Sequence, residues 1–159
     1  LRRQRQMCIR DRVGTVRCQD VMSRDLVVTT PQALAMEAWH LLSHHQIKAL
    51  PVVDEGERLV GIITLHDLMI DRAGHQPRAK EALEQQQVAD LMTREVQTAR
   101  RYQPLYDLVE AFSDGGLHHM PVVEGEQLVG IITQSDMVAA LFTLALQPGQ
   151  VEEAHACEQ

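Results

Sequence analysis

The chain has 159 residues, of which 45% are hydrophobic but only 3% aromatic, and a formal net charge of −7. That length and composition suit one compact domain or two small halves around an aliphatic core, and exclude disorder throughout. The acidic balance argues against a nucleic-acid polymer as partner, and Cys8, Cys18 and Cys157, with no CxxC or Cys/His spacing, argue against a disulfide framework or a zinc site.

Taken in chain order, residues 1–12 read LRRQRQMCIRDR, with five arginines and no periodicity. Met7 to Arg12 resembles the translation of a sequencing-library adapter. Residues 1–12 are therefore expected to be adapter-derived or disordered, with natural sequence continuing upstream of Val13. No apolar run follows the basic start, so no secretory leader is expected. No stretch reaches the roughly 18 apolar residues of a membrane helix.

A first copy of a repeat opens at Asp20-Val21-Met22-Ser23-Arg24. Leu26 to Thr29 is a short β-branched run ended by Pro31, hence a predicted strand. Leu34, Ala38, Leu41 and Leu42 follow helical spacing. Leu50 to Val53 and Leu59 to Ile63 flank an acidic turn and read as a buried hairpin. A second helix starts at Thr64. Residues 73–87, with Gly74, Pro77 and several glutamines, read as a surface linker.

The same order returns about 70 residues later. Asp90-Leu91-Met92-Thr93-Arg94 opens the second copy. Leu105, Leu108, Val109 and Phe112 give i, i+3, i+4, i+7 spacing. Pro121-Val122-Val123 and Leu128 to Thr133 repeat the hairpin, with one residue fewer in the turn, where a duplicated fold tolerates a length change. The expected fold class is mixed α/β (α+β): two β-α-β-β-α motifs, 13–72 and 88–146, packed about a pseudo-twofold axis. Residues 147–159 form an acidic, frayed tail.

Each second helix begins with Thr-x-x-Asp: Thr64 and Asp67, then Thr133 and Asp136. The plain reading is a capping box, in which hydroxyl and carboxylate satisfy the first N–H groups of the helix. The same geometry suits a ligand. A helix start with a hydroxyl presents donors to phosphate, and an acid one turn along accepts from ribose hydroxyls. His40 and His44 sit at i, i+4 with His45 adjacent, but HExxH and a third ligand are missing, and a solvated helix face is the better reading. Trp39 is assigned to packing or an interface. Met22 and Met92 are assigned to equivalent gaps in the core. Met137 to Leu146 is apolar nearly all round, as a helix covered by a partner subunit would be.

Leu-Pro-Val-Val, an acidic turn and Leu-Val-Gly-Ile-Ile-Thr-x-x-Asp, preceded by Asp-x-Met-Ser/Thr-Arg, resemble the CBS motif family in both copies, over about Gln19 to Phe142. Two motifs in tandem form a Bateman module. The resemblance implies a regulatory module without catalytic or metal-ligating residues that binds AMP, ADP, ATP or S-adenosylmethionine in clefts between the motifs, with Mg²⁺ accompanying ATP as an option. By position, Asp67 and Asp136 would hold ribose, and Thr64 and Thr133 would face phosphate. Lys48, Ala49 and Pro51, and His118, His119 and Pro121, would line the adenine or phosphate side. It also implies a homodimer. A ligand-free dimerisation module is the alternative; an enzyme is disfavoured because no nucleophile–base pair stands out. The stretches from His45 to Asp54, Ser113 to Val123 and Thr133 to Phe142 further resemble the C-terminal region of HPP-family membrane proteins. This implies a cytoplasmic location and an upstream membrane domain outside this chain.

Overall fold

The computed structural model describes residues 16–146 except 72, 73 and 75, so the expectations for 1–12, 147–159, Cys8 and Cys157 lie outside the described residues. In chain order the elements are α1 (Cys18–Val21), α2 (Ala35–His45), β1 (Ala49–Val53), β2 (Leu59–Thr64), α3 (Leu65–Met69), α4 (Lys80–Gln85), α5 (Val88–Leu91), β3 (Ala99–Arg100), a 3₁₀ turn (Leu105–Leu108), α6 (Val109–Ser113), β4 (His119–Glu124), β5 (Gln127–Thr133) and α7 (Gln134–Leu146). They form two compact units. The unit that holds Asp67 groups residues 25–97 and 123–128. The unit that holds Asp136 groups, among the described residues, 16–24, 98–122 and 129–146.

In the Asp67 unit, β1 and β2 pair antiparallel with Ala49 opposite Thr64 and Pro51 opposite Ile62. Leu50, Val52 and Ile63 are fully buried and meet Ala35, Ala38 and Leu42 of α2 in one cluster. The predicted strand over Leu26–Thr29 is reduced to a single parallel bridge, Thr29 to Val52. Thr29 N–H donates to Pro51 O, and Thr29 O accepts Val53 N–H. The next rung would need an N–H from Pro51, which has none, so the ladder stops there.

The expected linker is a working part of this unit. Within 73–87, α4 puts Leu83 into the core cluster, and Gln86 O accepts Ala35 N–H at the start of α2. Alanine, leucine, lysine and glutamate over Lys80–Gln85 are good helix formers, and one apolar face is enough to dock a short helix.

β3, β4 and β5 form a three-stranded sheet in that order, of which β3, residues 119–122 of β4 and 129–133 of β5 fall in the Asp136 unit. The helical spacing from Leu105 is realised as the 3₁₀ turn running into α6, and Leu105, Leu108 and Phe112 are buried with Met120, Val122, Ile132 and Met137.

The openings of the repeats are exchanged. Asp20–Met22 belongs to the unit built from the second repeat, where Ser23 bridges Ile131 through two hydrogen bonds of 2.9 and 3.1 Å. Met92 and Thr93 belong to the unit built from the first, where Thr93 bridges Ile62 through bonds of 2.9 and 2.8 Å. Both methionines are buried, as expected. Each lies against the glycine of the other repeat's Val-Gly-Ile-Ile strand. A Cβ at Gly61 would meet Met92 Sδ and Thr93 O at 2.8 Å, and one at Gly130 would collide with Met22 Sδ and Cγ. Glycine is required at both places by this close approach.

Candidate ligand site at two strand-to-helix junctions

Both Thr-x-x-Asp boxes close in full. Thr64 N–H donates to Asp67 Oδ2 at 2.9 Å, and Asp67 N–H donates to Thr64 Oγ1 at 3.2 Å. Thr133 N–H donates to Asp136 Oδ2 at 2.9 Å, and Asp136 N–H donates to Thr133 Oγ1 at 3.1 Å. Both acids are half-buried. Each uses one carboxylate oxygen on its own cap. The second oxygen, Oδ1, takes no other hydrogen bond among the described residues.

The residues before each hairpin are brought to the same junction by the backbone. Lys48 O accepts Leu65 N–H at 2.9 Å, and His118 O accepts Gln134 N–H at 2.9 Å. One more donor at the start of each helix is thereby satisfied, and residues 48 and 118 are pinned beside Thr64 and Thr133. The side chains of Lys48 and His118 are exposed. They differ in that His118 Nδ1 lies 3.0 Å from Gln134 Oε1, whereas position 65 in the other copy is leucine. Ala49 stands opposite Thr64 across the hairpin and is buried. His119 opens β4 half-buried. Pro51 and Pro121 are buried inside their strands, two residues beyond Ala49 and His119.

The structure thus assembles Lys48, Ala49, Thr64 and Asp67 at one junction and His118, His119, Thr133 and Asp136 at the other. Among the described residues, no three His, Cys, Asp or Glu side chains are grouped as a metal would need. A shallow groove lined by Glu37, His40, Leu41, Ser43 and His44 holds none of the junction residues. Cys18 is buried, and its thiol is pushed up to about 11 by desolvation, with Asp107 and Asp20 adding to the shift. It is a packing residue and a poor nucleophile at neutral pH. Among the described residues no helix is long and apolar enough to cross a membrane. The residue that sequence reasoning missed is Arg78, whose guanidinium reaches the carbonyl of Asp67; an arginine in a Gly- and Gln-rich join carries no motif that points to it.

Comparison with known proteins identifies the family and the fold. The family model described as CBS domain matches twice, over residues 18–73 and 88–143. The L-aspartate semialdehyde sulfurtransferase of Methanocaldococcus jannaschii is 32% identical over 125 residues, which are 78% of this chain but only 23% of that protein. The inosine-5'-monophosphate dehydrogenase of the same organism is 29% identical over 141 residues, 84% of this chain and 26% of the enzyme. The chain therefore spans about a quarter of the length of these relatives. Among solved structures, CBSX2 of Arabidopsis thaliana in complex with AMP superposes with a TM-score of 0.70 at 25% identity, covering 80% of this chain and 97% of the other. The CBS domain pair of protein MJ0100, in complex with 5'-methylthioadenosine and S-adenosyl-L-methionine, superposes with a TM-score of 0.65 at 31% identity, covering 80% and 96%. The doubled match covers more than half of the chain, and the mixed α+β fold is that of these pairs: the chain belongs to the CBS domain family and carries two such domains in tandem.

Proposed function

We propose that this pair is a regulatory module that senses an adenosyl ligand such as AMP, ADP, ATP or S-adenosylmethionine and does no chemistry of its own. The observation that carries the reading is the doubled junction. In both copies a threonine and an aspartate, one turn apart, stand beside the residue that opens the hairpin strand. A carboxylate with one oxygen already anchored is a pre-oriented acceptor for the two hydroxyls of a ribose. Two relatives of this fold carry ligands with that ribose in common, AMP in one and S-adenosyl-L-methionine with methylthioadenosine in the other. Thr64 and Thr133 then face phosphate, with Lys48 and His118 supplying positive charge. Ala49, His119 and the backbone around Pro51 and Pro121 line the base.

Binding shifts the equilibrium of an attached domain by no more than the ligand's differential affinity for the two states. The resemblance to the HPP C-terminal region supports an upstream membrane domain and a cytoplasmic setting for the module, and reading the frame upstream of Val13 tests that. Val138 and Phe142, both 63% exposed one turn apart on α7, support a homodimer through that helix; light scattering tests it.

Closed capping boxes favour one other reading, a ligand-free scaffold, because each acid already has a partner in its own helix cap. Thermal melts separate the two. A ligand at ~100 times its dissociation constant stabilises the fold by ~2.7 kcal/mol. A sensor shows that rise with at least one of AMP, ADP, ATP and S-adenosylmethionine; unchanged melts with all four leave the scaffold.

A further inference from the structure

The two junctions are alike at their front and unlike at their back. Helix α7 runs for 13 residues beyond Thr133, so the carbonyl of Asp136 is inside a regular helix. Helix α3 has only five residues and stops at Ile70, whose backbone is already extended. Its last carbonyls need partners from elsewhere. They find them in the join between the repeats. Ile70 and Pro77 form an antiparallel bridge, and Arg78 N–H donates to Met69 O at 2.7 Å. The Arg78 side chain then reaches back over the end of the helix: one terminal nitrogen donates to Ile70 O at 2.8 Å and Asp67 O at 3.2 Å. The other donates to Gln86 Oε1 at 3.3 Å. Arg78 Nε is buried and has no hydrogen-bond partner among the described residues. A guanidinium is a rigid fork, so what fixes one side of it fixes the other.

Gln86 is itself fixed, because its carbonyl accepts Ala35 N–H at 2.8 Å at the start of α2. A continuous line of contacts therefore runs from α2 through Gln86 and Arg78 to the backbone of Asp67. We infer that Arg78 is a positioning residue for a ribose-bearing ligand at the first junction: its guanidinium, held by Gln86, clamps the carbonyl end of α3 and so sets where the Asp67 carboxylate stands. The inference rests on reading Asp67 as the ribose acceptor. It makes the join between the repeats part of one ligand site and leaves the other site independent of it.

The test uses the whole chain and AMP, with one junction silenced at a time. In an Asp136→Asn background, Arg78→Ala weakens AMP binding by calorimetry about tenfold, the size of one or two lost hydrogen bonds from a charged donor. Arg78→Lys recovers part of the loss, and Gln86→Ala, which frees the fork without removing it, produces a smaller loss. In an Asp67→Asn background the same three changes leave AMP affinity within about twofold. In the ligand-free protein, hydrogen exchange of residues 66–70 speeds up in Arg78→Ala while that of 134–140 does not. If Arg78→Ala is too unstable to study, Arg78→Lys and Gln86→Ala give the same contrast. Equal weakening at both junctions, or none at the first, overturns the inference. A parent that binds no adenosyl ligand overturns the sensor reading and Arg78's ligand role with it; a parent that binds and is indifferent to Arg78 overturns the latter alone.

Discussion

The Thr64 and Thr133 junctions carry the same four-residue box with hydrogen bonds equal to within 0.1 Å, yet one is built on five residues of helix and the other on thirteen. A long helix holds its first turn by propagation, each residue adding a bond to the last. A single turn has no such reserve: both boxes share a front partner, Lys48 O or His118 O, but the Asp67 box also has the Arg78 guanidinium on its carbonyl at the back. A motif conserved between two copies therefore does not imply conserved support. Equal local geometry here rests on different neighbours, and the two sites should answer differently to the same insult.

The largest effect tests what the two halves share. Gly61→Ala and Gly130→Ala each force a methyl into an opposing methionine and cost about 1–3 kcal/mol by overpacking. Gly61→Ala also meets the backbone oxygen of Thr93, whereas Gly130→Ala meets three Met22 side-chain atoms. Urea denaturation measures both, and free accommodation of either substitution would break the symmetry. A smaller effect tests where the halves part. Asp67→Ala and Asp136→Ala each lose a cap worth about 0.5–2 kcal/mol, and the five-residue helix suffers more. Equal losses by denaturation would mean that helix length is irrelevant to the box.

The smallest effect concerns the hairpin turns. Asp54 Oδ1 accepts the N–H groups of Gly56 and Arg58, both at 2.9 Å, and Oδ2 lies 3.2 Å from Arg58 Nε. These contacts hold its pKa below 3.8, led by the Arg58 N–H. A lowered folded-state value gives a contribution that is present above 3.8 and lost as pH falls through the folded value. Arg58→Ala removes the guanidinium but not the N–H, so an NMR titration still finds Asp54 below the ordinary carboxylate range. The second turn, one residue shorter at Glu124-Gly125-Glu126, has no aspartate to test in the same way.

Much of this was legible from the sequence because it is local. Thr64, Asp67, Thr133 and Asp136 announce their caps within four residues, and Leu105, Leu108 and Phe112 announce their buried face by spacing alone. What stayed hidden depends on partners distant in the chain. The run Leu26–Val28 has strand composition, but Pro51 in the neighbouring strand ends the ladder. The join reads as polar linker because one buried leucine and one arginine decide its role. The exchange of the Met22 and Met92 segments was illegible in principle. Each repeat offers the same methionine and the same glycine, so packing within a copy and packing across copies present the same pairs.

That exchange has a consequence for how such a chain can be divided. A fragment ending after Ile70 would carry Gly61 without Met92 and Met22 without Gly130. Two copies of that fragment would offer one another methionine plug and glycine slot, but both would lack Leu83, Val88 and Leu91 of the same core cluster. A fragment that stops at Ile70 also forfeits Leu83, Gln86 and Arg78, so the join is a structural part of the fold as well as a tether.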